Sequence, residues 1–169
     1  MHALRHPLFI KFMAYFNGNQ DYFECHEVLE DYWNEVAPRD KTHPLVGYIL
    51  VAVAFYHWRR GNFAGAEKSM ENGLGKLSGA LEERPEFFEG IDAGQLLASA
   101  GRSLNEIRAG QPFRSFEIRV LDPDLQAAVN TTASSLTDRR NSPSLIHKHM
   151  QRHRSAMPVR PKKGRDSRH

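Results

Sequence analysis

From Leu45 to Tyr56 the chain reads LVGYILVAVAFY, twelve residues without a charge. No other feature constrains the fold as strongly. A membrane span needs roughly 18 or more such residues, so this run predicts a buried helix. Its residues are apolar nearly all round through Trp58, which describes a central helix touched on several sides. Pro44 suits its first turn, where the missing N–H costs nothing. Gly61 supplies the stop after Arg60, and Asn62 is placed to cap the next helix.

Helical spacing recurs on either side. Leu4, Leu8, Phe9, Phe12 and Phe16 predict a first helix over His2 to Phe16, ended by Asn17-Gly18-Asn19. Tyr22, His26, Leu29, Trp33 and Val36 predict a second from about Asp21 to Val36, broken at Pro38. Ala66, Met70, Leu74, Leu77 and Leu81 mark a fourth from Phe63. Leu96, Leu97, Ala100, Leu104 and Ile107 mark a fifth after Asp92, closed by Gly110. From Pro112 to Leu121, Phe116, Ile118 and Val120 alternate with charges, which predicts an extended arm on the bundle. Asp122-Pro123 then opens a short helix through Leu125, Val129 and Leu136. The expected fold is all-α: a single compact bundle of about five helices, plus the arm.

Composition changes sharply at residue 137. Residues 1–136 hold 13 Lys+Arg and 18 Asp+Glu, net −5; residues 137–169 hold 10 and 2, net +8. The overall pI of 9.1 therefore describes the second part only. The reading is a helical domain over 1–136 and a basic tail over 137–169 that is expected to be disordered, having too little apolar surface to offset the entropy of ordering it. Arginines and lysines across 139–168 would attract RNA or DNA phosphates in a weak, salt-sensitive way, and almost no aromatic side chain is there to stack on bases. Four histidines in the tail, His147 and His149 among them, offer loose metal binding at most. The single cysteine, Cys25, excludes an intrachain disulfide and a Cys-based zinc site and suits a reducing cytoplasm. MHALRHPLF has no secretory pattern, no membrane association is expected, and self-association into a homo-oligomer stays open.

The chemistry-bearing residues fall in two segments. Phe16-Asn17 is followed by Tyr22-Phe23-Glu24-x-His26-Glu27-x-Leu29-Glu30-x-x-Trp33. Later come Pro44-Leu45-x-Gly47-x-Ile49, Ala52-Val53-Ala54-x-Tyr56-His57 and Arg60-Gly61-Asn62-x-x-Gly65-Ala66. This series resembles the bacterial and archaeal domain-of-unknown-function 309 family over roughly residues 9 to 81. The resemblance implies a small all-helical bundle and no assigned reaction. Where the family pattern leads one to expect glutamine ahead of the Ala-Val-Ala run, this chain has Leu50.

His26 and Glu30 share a helix face, with Glu27 and Glu24 flanking them. If His57 faces this cluster, His26, Glu30 and His57 form a ligand set for a divalent metal, with Glu27 as general base of a hydrolase. The zinc-protease string His-Glu-x-x-His fails at Glu30. The competing reading is a polar packing network, with Arg59 or Arg60 neutralising the acids, and it ranks first. Glu24, Trp33, Tyr56, Arg60, Gly61 and Asn62 then serve structure: Gly61 stops, Asn62 caps, and the aromatics pack. Cys25 and His26 project about 100° apart, which disfavours a nucleophile pair. The function expected is a non-enzymatic interaction or structural module, with a metal-dependent enzyme and weak nucleic-acid association as alternatives.

Overall fold

The computed structural model describes residues 2–136. It contains six α-helices: α1 (Pro7–Ala14), α2 (Tyr22–Val36), α3 (Pro44–Arg59), α4 (Phe63–Glu83), α5 (Ala93–Arg108) and α6 (Pro123–Ala133). Short 3₁₀ turns cover Ala3–Arg5 and Pro85–Phe87. No strand occurs among the described residues. The reading of 137–169 lies outside them, and no described helix is long and apolar enough to cross a membrane.

Each α-helix begins with a side chain that accepts a hydrogen bond from a first-turn N–H: His6, Asp21, His43, Asn62, Asp92 and Asp122. Four are the Asp and Asn residues that capping favours. Two are histidines, both in the tripeptide His-Pro-Leu. His6 Nδ1 accepts from Leu8 N–H and His43 Nδ1 from Leu45 N–H, each at 3.1 Å. The proline between fixes φ for the first turn and brings no orphan donor.

The uncharged run becomes α3, packed between α2 and α4, while α1 bridges α2 and α6. Leu45, Ala52, Ala54 and Phe55 are wholly buried, and Tyr48 and Trp58 nearly so. α3 and α4 approach closely because both carry glycine at the crossing. A Cβ on Gly47 would lie 2.8 Å from Leu77 Cγ, and one on Gly73 would lie 3.0 Å from the Gly47 carbonyl. Phe113 and Phe116 of the arm stack edge-on against Phe55, with centroids at 5.5 and 5.3 Å. The Trp58 indole N–H donates to the Gln111 carbonyl at 2.8 Å.

The structure departs from the sequence reading in three places. The first helix is not continuous from His2: Pro7 starts α1, and the turn Tyr15–Asn19 is π-helical, closed by Gln20 N–H to Tyr15 O at 2.7 Å. Its left-handed cap is therefore Gln20, with φ 59°, and not the Asn-Gly-Asn triplet. The arm lies extended on the bundle as expected, and adds one isolated antiparallel bridge, from Val120 to Ile91, that its pattern did not announce. Residues 85–91 carry buried Phe87, Phe88 and Ile91 without helical periodicity, so nothing in their spacing revealed them as core. The Tyr48 hydroxyl anchors that segment by donating to the Phe87 carbonyl at 2.7 Å.

Candidate functional site

The chemistry-bearing residues gather where the first two turns of α2 meet the end of α3. Asp21 caps α2 by accepting from Glu24 N–H at 3.1 Å, so Glu24 stands in the first turn, where the helix dipole favours a carboxylate. One turn on, the His26 ring lies between two carboxylates of its own helix. Its Nδ1 is 3.3 Å from Glu27 Oε2 and its Nε2 is 3.6 Å from Glu30 Oε2. The three side chains are partly exposed, at 29%, 28% and 40% in order. Each offers one ligand atom to a set lying within 4.8 Å of one another. An ion bound at roughly 2.1 Å holds its donors about 3–3.5 Å apart, so this set would have to tighten to hold one.

His57 lies outside that group of three. Its Nδ1 lies 3.2 Å from Asn62 Nδ2, and a Cβ at Gly65 would meet its ring at 3.1 Å. It belongs to the α3–α4 corner. There Gly61, at φ +85°, turns the chain, and Asn62 Oδ1 accepts from Gly65 N–H at 3.0 Å. The Arg60 guanidinium lies over the Tyr56 ring at 5.1 Å. Phe23 then links Tyr56 to His26, with centroids 6.2 Å apart on each side. Trp33 holds the loop after α2 by donating its indole N–H to the Asp40 carbonyl at 3.0 Å.

Arg59 has a different place from the one expected. Its Nη1 donates to the Gln20 carbonyl at 3.0 Å, and the guanidinium covers the Tyr22 ring at 4.7 Å and Phe113 at 5.8 Å. Burial lowers its pKa, with partial compensation from Tyr22 and Asp21. It secures the left-handed Gln20 and the aromatic core rather than the acids of α2. Cys25 is wholly buried, its thiol donates to the Phe12 carbonyl at 3.7 Å, and burial pushes its pKa well up, so it is no nucleophile.

Two features escaped sequence reasoning. One is the repeated His-Pro-Leu tripeptide, legible in the letters but weak as a cap signal because histidine seldom caps. The other is a pair of side-chain amides, Asn17 and Gln95, that grip the arm from both sides. They lie 78 positions apart in the chain, so no local pattern joins them.

The bundle, its acidic α2 and the Arg-Gly-Asn corner define a class of small helical domain to which no reaction is assigned. The chain belongs to the family described as domain of unknown function DUF309, whose profile matches residues 9–69. It is 37% identical over 120 residues to the uncharacterized protein YpuF of Bacillus subtilis (strain 168), covering 71% of this chain and 68% of that relative. No solved structure matches it.

Proposed function

We propose that the protein is a non-enzymatic helical interaction module of the reducing cytoplasm, presenting the face of α2 around His26, Glu27 and Glu30. The observation that carries this reading is how the family's segments are used. Tyr22 and Trp58 fill the core, Trp33 pins a loop, Arg60 covers Tyr56, Gly61 turns the chain, and Asn62 caps α4. What remains toward solvent is a histidine between two carboxylates with Phe23 beside it. The buried lone thiol agrees with a reducing compartment. Partly exposed ion pairs contribute about 0.3–0.5 kcal/mol each. The double variant His26→Ala/Glu30→Ala should therefore lower the melting temperature by only about 2 °C. Catalytic turnover by the wild type that this variant abolishes at nearly unchanged stability would move these residues from surface to chemistry and end this reading.

A second reading is favoured by the three ligand atoms within 4.8 Å: a divalent cation held by His26, Glu27 and Glu30. Glu27 would then be a ligand rather than the spare base of a hydrolase. Elemental analysis of untagged chain dialysed against zinc or manganese tests it. One equivalent, lost in Glu30→Gln, supports the site, and no stoichiometric metal rejects it.

A further inference from the structure

Glu117 and Arg119 are two residues apart on the extended arm, so their side chains leave it on one face, with Cα atoms about 6.6 Å apart. Two primary amides fix that stretch from its edges. Asn17 Nδ2 donates to the Ile118 carbonyl and Asn17 Oδ1 accepts from Ile118 N–H, both at 2.9 Å. Gln95 Nε2 donates to the Glu117 carbonyl at 2.8 Å, and its Oε1 accepts from Arg119 N–H at 2.9 Å. Opposite charges at this spacing are free to close on each other, and here they do not. Arg119 Nη1 donates instead to Asp92 Oδ2 at 3.0 Å, and Glu117 enters no ion pair among the described residues.

Both charges line a cleft of about 430 Å³ between the arm and α6. That volume falls in the range of ligand sites, roughly 300–1,000 Å³. One carboxylate and one guanidinium leave the lining without net charge. The α6 wall repeats the pairing in neutral form. Gln126 Nε2 donates to Asn130 Oδ1 at 2.8 Å, which leaves Gln126 Oε1 as an acceptor and Asn130 Nδ2 as a donor. An apolar group gains little here, because Ala14, Ile118 and Val129 are 0%, 2% and 3% exposed.

We propose that this cleft binds a free α-amino acid with a small, polar, uncharged side chain. The ligand's ammonium meets Glu117 and Gln126 Oε1, and its carboxylate meets Arg119 and Asn130 Nδ2. A zwitterion answers both fixed charges at once. A simple anion leaves the Glu117 carboxylate unmet and repels it, and a simple cation does the same with Arg119. Asp92 is a positioning residue in this scheme: it takes one N–H of the guanidinium, leaves the others, and holds Arg119 apart from Glu117. The Arg119 side chain is 64% exposed, so each charge contributes modestly and the expected Kd is on the order of millimolar. The α2 cluster plays no part in this inference.

The experiment titrates the full-length, nitrogen-15-labelled chain with L-serine to about 20 mM, well past a millimolar Kd. The side-chain amide resonances of Gln126 and Asn130 and the Arg119 Nε–H should shift and saturate, while the indole N–H of Trp33 stays still. N-acetyl-L-serinamide, which carries neither charge, should move none of them. Glu117→Gln and Arg119→Gln change exposed side chains outside the core, and each should weaken the L-serine response by about fivefold, the upper end for an exposed pair. Absence of a saturable shift overturns the proposal. So does an equal response to N-acetyl-L-serinamide, or an L-serine response that both substitutions leave unchanged.

Discussion

The same tripeptide opens two helices and meets two different fates. At 6–8 and at 43–45, His-Pro-Leu takes an extended histidine backbone, with φ −61° and ψ 136° at His6 and φ −65° and ψ 141° at His43, and directs Nδ1 at the leucine N–H. Beyond the cap the surroundings diverge. The His6 ring stacks on Tyr32, with centroids 4.0 Å apart, and its Nε2 reaches the exposed Glu35 carboxylate at 3.1 Å. The His43 ring is 1% exposed and stands edge-on to Phe87 at 4.7 Å. Burial lowers the pKa of His43, and nearby Arg84 lowers it further. Sequence dictates the cap, and the tertiary environment decides how deeply the capping ring is buried.

The largest expected effect is on the buried member. His43→Ala removes a cap and a packed ring together and should cost about 2 kcal/mol, which is roughly 8 °C in melting temperature by thermal denaturation. Next comes acid. A capping Nδ1 must be unprotonated, and the folded pKa of His43 lies below its unfolded 6.5. Its contribution is therefore complete above pH 6.5 and is lost as pH falls from there through the folded value. Urea melts at stepped pH should show that loss in the wild type and not in His43→Asn, which keeps a capping oxygen and does not titrate. Persistence of the step in His43→Asn would assign it elsewhere. His6→Ala should cost about 1 kcal/mol, mostly the cap. Glu35→Gln, which alters only an exposed pair, should stay within about 0.5 kcal/mol. If His6→Ala proved as damaging as His43→Ala, burial would not be what separates the two.

This comparison also shows how far the letters reached. The helices were legible wherever an apolar stripe ran between caps and breakers: α2 between Asp21 and Pro38, α3 between Pro44 and Gly61, α5 between Asp92 and Gly110. Local geometry set by distant groups was not legible. The π turn at Tyr15–Asn19 places Asn17 against Ile118, a demand no local pattern announces. At the candidate site, four-residue spacing put His26 beside Glu30, and the structure agrees. Spacing had no means of saying which way His57 turns on α3, because that is decided by Asn62 and Gly65 at the next helix start.

An extended segment on a protein surface is ordinarily a hazard, since its unsatisfied N–H and C=O groups invite a second chain to pair with it. Over residues 117–119 this protein removes that hazard without building a sheet. Asn17 seals one edge, while Gln95 and the Asp92 backbone N–H seal the other. Changing either amide would expose an edge as well as loosen the arm. Asn17→Ala and Gln95→Ala are thus the positions where this fold would begin to aggregate before it begins to melt.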